Sequence, residues 1–176
     1  MADPRFYKNR GPFALAAICA KAGIGLPAGM DGARAVADLA GLEGAGAAHL
    51  TFFLGGAKRT ENFTRSRAGF CLTPQGKLPP APDGMALLPC PDVAAAWVAA
   101  AALFYPDIDD MPGAPGVDPS ARLGEGVVLG ADVSIGPDVQ IGAGARIGTG
   151  SVIGPGVTIG QLGRVGAHVS ISHAYI

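Results

Sequence analysis

Six side chains in this sequence have the reactivity to do chemistry near neutral pH: His49, His168 and His173, and Cys19, Cys71 and Cys90. An imidazole with an unperturbed pKa of about 6.5 can take a proton as a general base. A cysteine becomes a nucleophile or a metal ligand only as its thiolate. The three cysteines are widely separated, have no metal-type spacing and leave one thiol over if two pair, so they read as buried, reduced residues. A zinc centre of three converging histidines is disfavoured, because only His168 and His173 fall in the carboxy-terminal third. His49 adjoins an apolar run and reads as a loop or capping residue. The net charge of -1, with no cluster of Lys or Arg, argues against a nucleic-acid surface, since phosphate binding needs concentrated positive charge.

The elements that would carry these groups are set by a repeat. Val117, Leu123, Leu129, Ile135, Ile141, Ile147, Ile153, Ile159, Val165 and Ile171 recur every six residues, and a glycine follows each of them from Gly124 to Gly166. A period of six is neither helical nor plain strand alternation. It gives one short strand and one turn per repeat, stacked as a β-solenoid. In Asp132-Val133-Ser134-Ile135-Gly136-Pro137, Val133 and Ile135 lie two apart and share a face. So short a segment cannot bury that face alone, whereas superimposed coils join such faces into continuous apolar columns. All ten aliphatic positions are therefore expected to be core and none catalytic. Pro137 and Pro155 fall at turns, where a missing amide hydrogen costs little.

The first hundred residues have a different texture, and half of the 28 glycines fall from Gly116 onward. Pro12 to Gly23 reads as one short helix, with proline near its start and glycine past its end. Ala35 to Leu42, Leu50 to Leu54, Ala68 to Leu72 and Met85 to Leu88 read as strands of a small sheet, with a polar helix over Lys58 to Arg67. Pro91 and Asp92 open a helix over Val93 to Tyr105 that is apolar nearly all round and must be covered by the sheet or by another subunit. The proline- and aspartate-rich stretch 106–116 is a linker. The expected organisation is a small α/β domain over 1–105, the linker 106–116 and the solenoid over 117–176, an α+β domain followed by a parallel β-helix. The first ten residues lack the apolar core of a signal peptide, and Val93 to Phe104 is too short to span a bilayer. The expected location is the cytoplasm.

Local phrases carry a resemblance beyond the repeat. Leu50-Thr51-Phe52-Phe53-Leu54, Arg67-Ala68-Gly69-Phe70-Cys71-Leu72 and Val117-Asp118-Pro119-Ser120-Ala121, in that order and joined by a Pro-rich link, resemble UDP-3-O-acylglucosamine N-acyltransferases of lipid A biosynthesis along essentially the whole chain. The resemblance implies a left-handed parallel β-helix, a homotrimer and substrate clefts between neighbouring solenoids. It further implies attack by the 2-amino group of a UDP-3-O-acylglucosamine on a 3-hydroxyacyl thioester carried by acyl carrier protein, with no metal or dissociable cofactor. The family binds uridine with a Phe of the Ser/Thr-Phe strand and a Tyr several residues later. Phe52 matches the first, for base stacking or for core packing. The second falls at Lys58 or Arg59, and an arginine plane can stack on a base.

The family's catalytic histidine sits in an Ile-Ala-His-Asn phrase beyond a Gly-Phe-Gly-rich insertion, and neither occurs in these 176 residues. Ser172-His173-Ala174 is only superficially similar, and His173 is expected at a solvated corner or a subunit face. Ten hexads at three per triangular turn make little more than three coils with no capping segment, so the chain is expected to be an inactive fragment of a longer enzyme or a truncation protected by another chain. Two other functions remain open: another hexapeptide-repeat sugar acyltransferase, and a non-enzymatic trimeric scaffold.

Overall fold

The computed structural model describes residues 3, 4, 6–106 and 111–176, apart from the side chain of Lys58. The linker expected over 106–116 thus lies partly outside the described residues, at 107–110. The chain divides into two compact units, Met1–Pro106 and Asp107–Ile176.

The first unit begins with β1 (Phe13–Ala14), followed by α1 (Leu15–Lys21). The helix starts later than its sequence pattern predicts. The amide of Leu15 donates to the carbonyl of Arg34 and that of Ala16 to Gly32, while Phe13 and Ala14 pair antiparallel with β2 (Ala35–Val36). The predicted strand Ala35 to Leu42 accordingly breaks at Ala37: β2 joins this two-residue ladder and β3 (Asp38–Leu39) joins a second sheet. That sheet continues with β4 (His49–Phe52), crosses through α2 (Ala57–Arg65) to β5 (Phe70–Pro74), and ends at β6 (Ala86–Cys90), all parallel in the order β3-β4-β5-β6.

Strand alternation divides the side chains between two apolar layers. Leu50, Phe70, Leu72 and Leu88 face α1 and the third helix, α3 (Val93–Phe104), whereas Phe53, Cys71 and Met85 pack with Phe63 of α2. Asp92 caps α3 as its sequence predicts, its Oδ1 accepting the Ala95 amide at 2.9 Å. This unit covers only one side of α3, through Val93, Ala96, Ala100 and Phe104, and leaves Val98 65% exposed. The buried hydroxyl of Tyr105 donates to Asp38, tying the end of α3 to β3.

The second unit is a stack of two-residue strands, β7 (Gly116–Val117), β8 (Arg122–Leu123), β9 (Val128–Leu129), β10 (Ser134–Ile135), β11 (Gln140–Ile141), β12 (Arg146–Ile147), β13 (Val152–Ile153), β14 (Thr158–Ile159), β15 (Arg164–Val165) and β16 (Ser170–Ile171). They form three parallel sheets, β7-β10-β13-β16, β8-β11-β14 and β9-β12-β15, that the chain visits in rotation. Ser134 pairs with Val152 and Gln140 with Thr158, so a coil takes 18 residues and every column stays in register. Ile135, Ile141, Ile147, Ile153 and Ile159 are buried with Val133, Val139, Ala145 and Val157. The uniform core expected of the ten positions fails toward both ends of the stack, where Leu129, Val165 and Ile171 are only partly buried. Val117 and Leu123, in the first coil, are 43% and 38% exposed because no coil covers them on their outer side.

The two recurrent backbone requirements of the hexad fall on different residues. Glycines after the aliphatic position make room: a Cβ at Gly142 would lie 2.5 Å from the amide nitrogen of Gln161 in the next coil. The left-handed corner comes two residues later, where Asp132, Asp138, Leu162 and His168 have φ between 55 and 58°. The last corner is one residue shorter. His173 takes the left-handed conformation at φ 59°, Thr158 pairs with Tyr175, and the Gly160 amide donates to the carbonyl of Ile176. Ile176 therefore follows Leu123, Ile141 and Ile159 on the same wall after a spacing of five, which a search for sixes misses.

Candidate functional site

Phe52, Lys58 and Arg59 lie around the carboxy-terminal end of β4. Alternation sends the Phe52 ring toward α3, where it packs on Trp97 with ring centroids 4.7 Å apart and planes at 49°. Phe52 is half-buried, while its neighbour Phe53 is fully enclosed and stacks on Phe63 at 4.5 Å. Of two adjacent phenylalanines, Phe52 alone keeps an exposed portion, and Phe53 is core. Gly55 and Gly56, at φ 85 and 98°, turn the chain out of β4 into α2. Lys58 and Arg59 occupy the first turn of α2; Arg59 is exposed, and the side chain of Lys58 lies outside the described residues. Among the described residues no ring or cation contact joins Arg59 to Phe52, whose aromatic partner is Trp97. The strand order β3-β4-β5-β6 carries no reversal, and the βα loop with the first turn of α2 follows directly from the end of β4.

The reactive groups are dispersed. His49 Nδ1 accepts the Gly46 amide at 2.9 Å, closing the loop before β4, which is the capping role its sequence suggests. His168 stands exposed at a left-handed corner, its imidazole lying over Gly150 of the preceding coil so closely that a Cβ there would meet Nδ1 at 2.5 Å. His173 sits half-exposed at the shortened corner. Among the described residues no three His, Cys, Asp or Glu side chains gather in a metal-binding arrangement. All three cysteines are buried and unpaired. Burial, with a smaller contribution from Cys90, pushes the Cys71 thiol up to about 12, and burial raises Cys19 and Cys90 as well. Such thiols stay protonated near neutrality and are not nucleophiles. At the first solenoid corner, the hydroxyl and amide of Ser120 both donate to Asp118, at 2.7 and 2.9 Å, and hold its carboxyl below the usual range. Ser120 Oγ also accepts the amide of Asp138 one coil on, so this corner is a structural clamp.

The second unit is a solenoid of parallel two-residue strands, and within it residues 120–155 match the family described as bacterial transferase hexapeptide (six repeats). Similarity to full proteins extends further. The chain is 37% identical over 124 residues to a UDP-3-O-acylglucosamine N-acyltransferase of Methylobacterium sp. (strain 4-46), a match covering 69% of this chain and 35% of that protein. Proteins of the same name from Granulibacter bethesdensis and Caulobacter vibrioides are 34% and 38% identical over 123 and 130 residues, covering 70% and 72% of this chain and 34% and 37% of theirs. The chain is thus related to the UDP-3-O-acylglucosamine N-acyltransferases, and its matched segment spans about a third of their length. Neither unit is long enough to contain a match of this extent, since the first ends at Pro106. The similarity therefore includes residues from both and is not a product of the generic repeat alone. Among the described residues no helix is long and apolar enough to cross a membrane.

Proposed function

We propose that this chain belongs to an enzyme that N-acylates UDP-3-O-acylglucosamine in lipid A biosynthesis, working in the cytoplasm as a homotrimer of left-handed β-helices. The observation that carries the reading is the identity to named N-acyltransferases across both units. In the reaction, the glucosamine 2-amino nitrogen attacks the thioester carbonyl of a 3-hydroxyacyl group on acyl carrier protein. An amide bond forms, the carbon–sulfur bond breaks, the ammonium proton passes to a general base and the carrier leaves as its thiol. Phe52 and Arg59, with Lys58 beside them, are the residues of this chain that would hold the uridine. The half-buried ring of Phe52 offers a stacking edge and the exposed guanidinium a second plane. His49 is engaged by the Gly46 amide, and His168 and His173 stand at left-handed corners of the solenoid, so none of the three suits the base, and the 176 residues alone are expected not to turn over.

Trp97 is the single tryptophan of the chain and touches Phe52, so its fluorescence is a built-in probe. Titration with UDP should give a saturable change in Trp97 emission that Phe52→Ala removes. The absence of a saturable change, or one that survives Phe52→Ala in a folded variant, would sink the uridine assignment. Incubating the chain with UDP-3-O-acylglucosamine and acylated carrier protein should yield no amide product, and turnover at a full enzyme's rate would contradict that expectation.

A further inference from the structure

A second concave surface lies at the opposite end of the parallel strands, before β6 rather than after β4. It is an open groove of about 480 Å³, lined by Ala28, Gly29, Met30, Asp31, Arg34 and the segment Gly84 to Ala86. Arg34 is its one basic group, an exposed residue whose backbone is held in place. Its carbonyl accepts the Leu15 amide at 2.9 Å, and its own amide closes a turn onto Asp31 at 3.4 Å. Asp31 Oδ1 stiffens that turn by accepting the Ala33 amide at 2.9 Å. The guanidinium carbon lies 4.4 Å from the centroid of the buried Phe70 ring. Stacking of this kind fixes the plane of the group while consuming none of its N–H donors. Those donors have no protein acceptor and no carboxylate partner among the described residues, Asp31 included. The groove walls stay bare beside them, since a Cβ at Gly29 or Gly84 would meet nothing within 4 Å.

A planar, permanently charged fork stacked on an aromatic ring beside a groove, with its donors unspent, suits a planar or tetrahedral oxyanion. We infer that this groove is a binding site for a small ligand carrying an oxyanion, a carboxylate or a phosphate monoester, with Arg34 as the anchoring residue. The Asp31 carboxylate, three residues away, opposes an anion electrostatically and keeps the affinity modest. The site is independent of the uridine reading, whose residues lie at the other end of the sheet.

The test is an amide NMR titration of the intact chain with inorganic phosphate and, separately, with acetate, at low ionic strength. The site requires saturable shifts at millimolar anion confined to Asp31, Arg34 and Gly84 to Ala86, and the tighter of the two probes identifies the oxyanion source. Arg34→Lys, which keeps the charge and much of the cover over Phe70 but loses the fork, should weaken binding several-fold, and Arg34→Gln should abolish it. Asp31→Asn, which retains the turn acceptor, should tighten it about threefold or more. No saturable response to either anion, an undiminished response in a folded Arg34→Gln chain, or no gain in Asp31→Asn would overturn the assignment.

Discussion

The wall formed by β7, β10, β13 and β16 offers a controlled measurement of how a solenoid column is stabilised. Val117, Ile135, Ile153 and Ile171 follow one another in register along it. Ile153 is fully buried, with a neighbour above and below, whereas Val117 at the first coil is 43% exposed. Ile153→Ala removes three carbons, worth about 2.4 kcal/mol of transfer free energy at ~0.8 kcal/mol per methylene. The cavity left between two coils brings the cost to about 3–4 kcal/mol. Val117→Ala removes two carbons from a site nearly half in water and should cost less than about 1 kcal/mol. Urea unfolding followed by circular dichroism would separate the two. With a slope of about 1.5–2 kcal/mol per molar, the Ile153→Ala midpoint should fall at least about 1 M below that of Val117→Ala. Equal losses at the two positions would refute the view that each aliphatic residue is stabilised by the coils directly above and below it.

Three further outcomes follow from backbone geometry and from burial. Gly142→Ala should destabilise the second unit by about 1–3 kcal/mol in the same assay, because its Cβ would meet the next coil's backbone at 2.5 Å, where nothing can swing aside. Leu162→Asn should stabilise it by up to about 1 kcal/mol, since a 76% exposed leucine gives up little packing and asparagine tolerates the left-handed corner better. Cys71 governs an alkaline response: the folded thiol holds its proton to about 12 while the unfolded one loses it near 9, so the unfolded chain binds fewer protons in that window. Stability should then decline between these pH values by up to about 1.4 kcal/mol per pH unit, and Cys71→Ala should flatten the decline relative to the parent chain.

The solenoid was legible because a one-dimensional stack writes its contacts into a fixed period: each inward side chain meets its own counterpart one coil away. What escaped was whatever depended on the backbone alone. The glycine after an aliphatic residue serves coil-to-coil clearance, and the left-handed corner two residues on is Gly126, Gly144, Gly150 or Gly156 in some repeats but Asp132, Asp138, Leu162 or His168 in others, so residue type marks it only in part. The shortened corner at His173 was hidden for the same reason. In the first unit, the start of α1 and the break at Ala37 were set by amide partners far along the chain, at Arg34, Gly32 and Ala48, which local propensity does not register. The pairing of Phe52 with Trp97 was equally silent, since 45 positions separate them in sequence. Cap signals fared better: Asp92 and His49 act over three residues and could be read directly.

The rotation of the chain through three walls constrains which changes of length the second unit can accept. Duplicating or excising 18 residues returns the polypeptide to the wall it left, with every inward column still in register. A change of six keeps the inward columns intact but carries everything downstream one wall around: a loss would stand Arg146 and Arg164 where Gln140 and Thr158 now are, and a gain where Val152 and Ser170 are. Related chains should therefore vary in whole turns far more readily than in thirds of a turn wherever one particular wall has something to recognise.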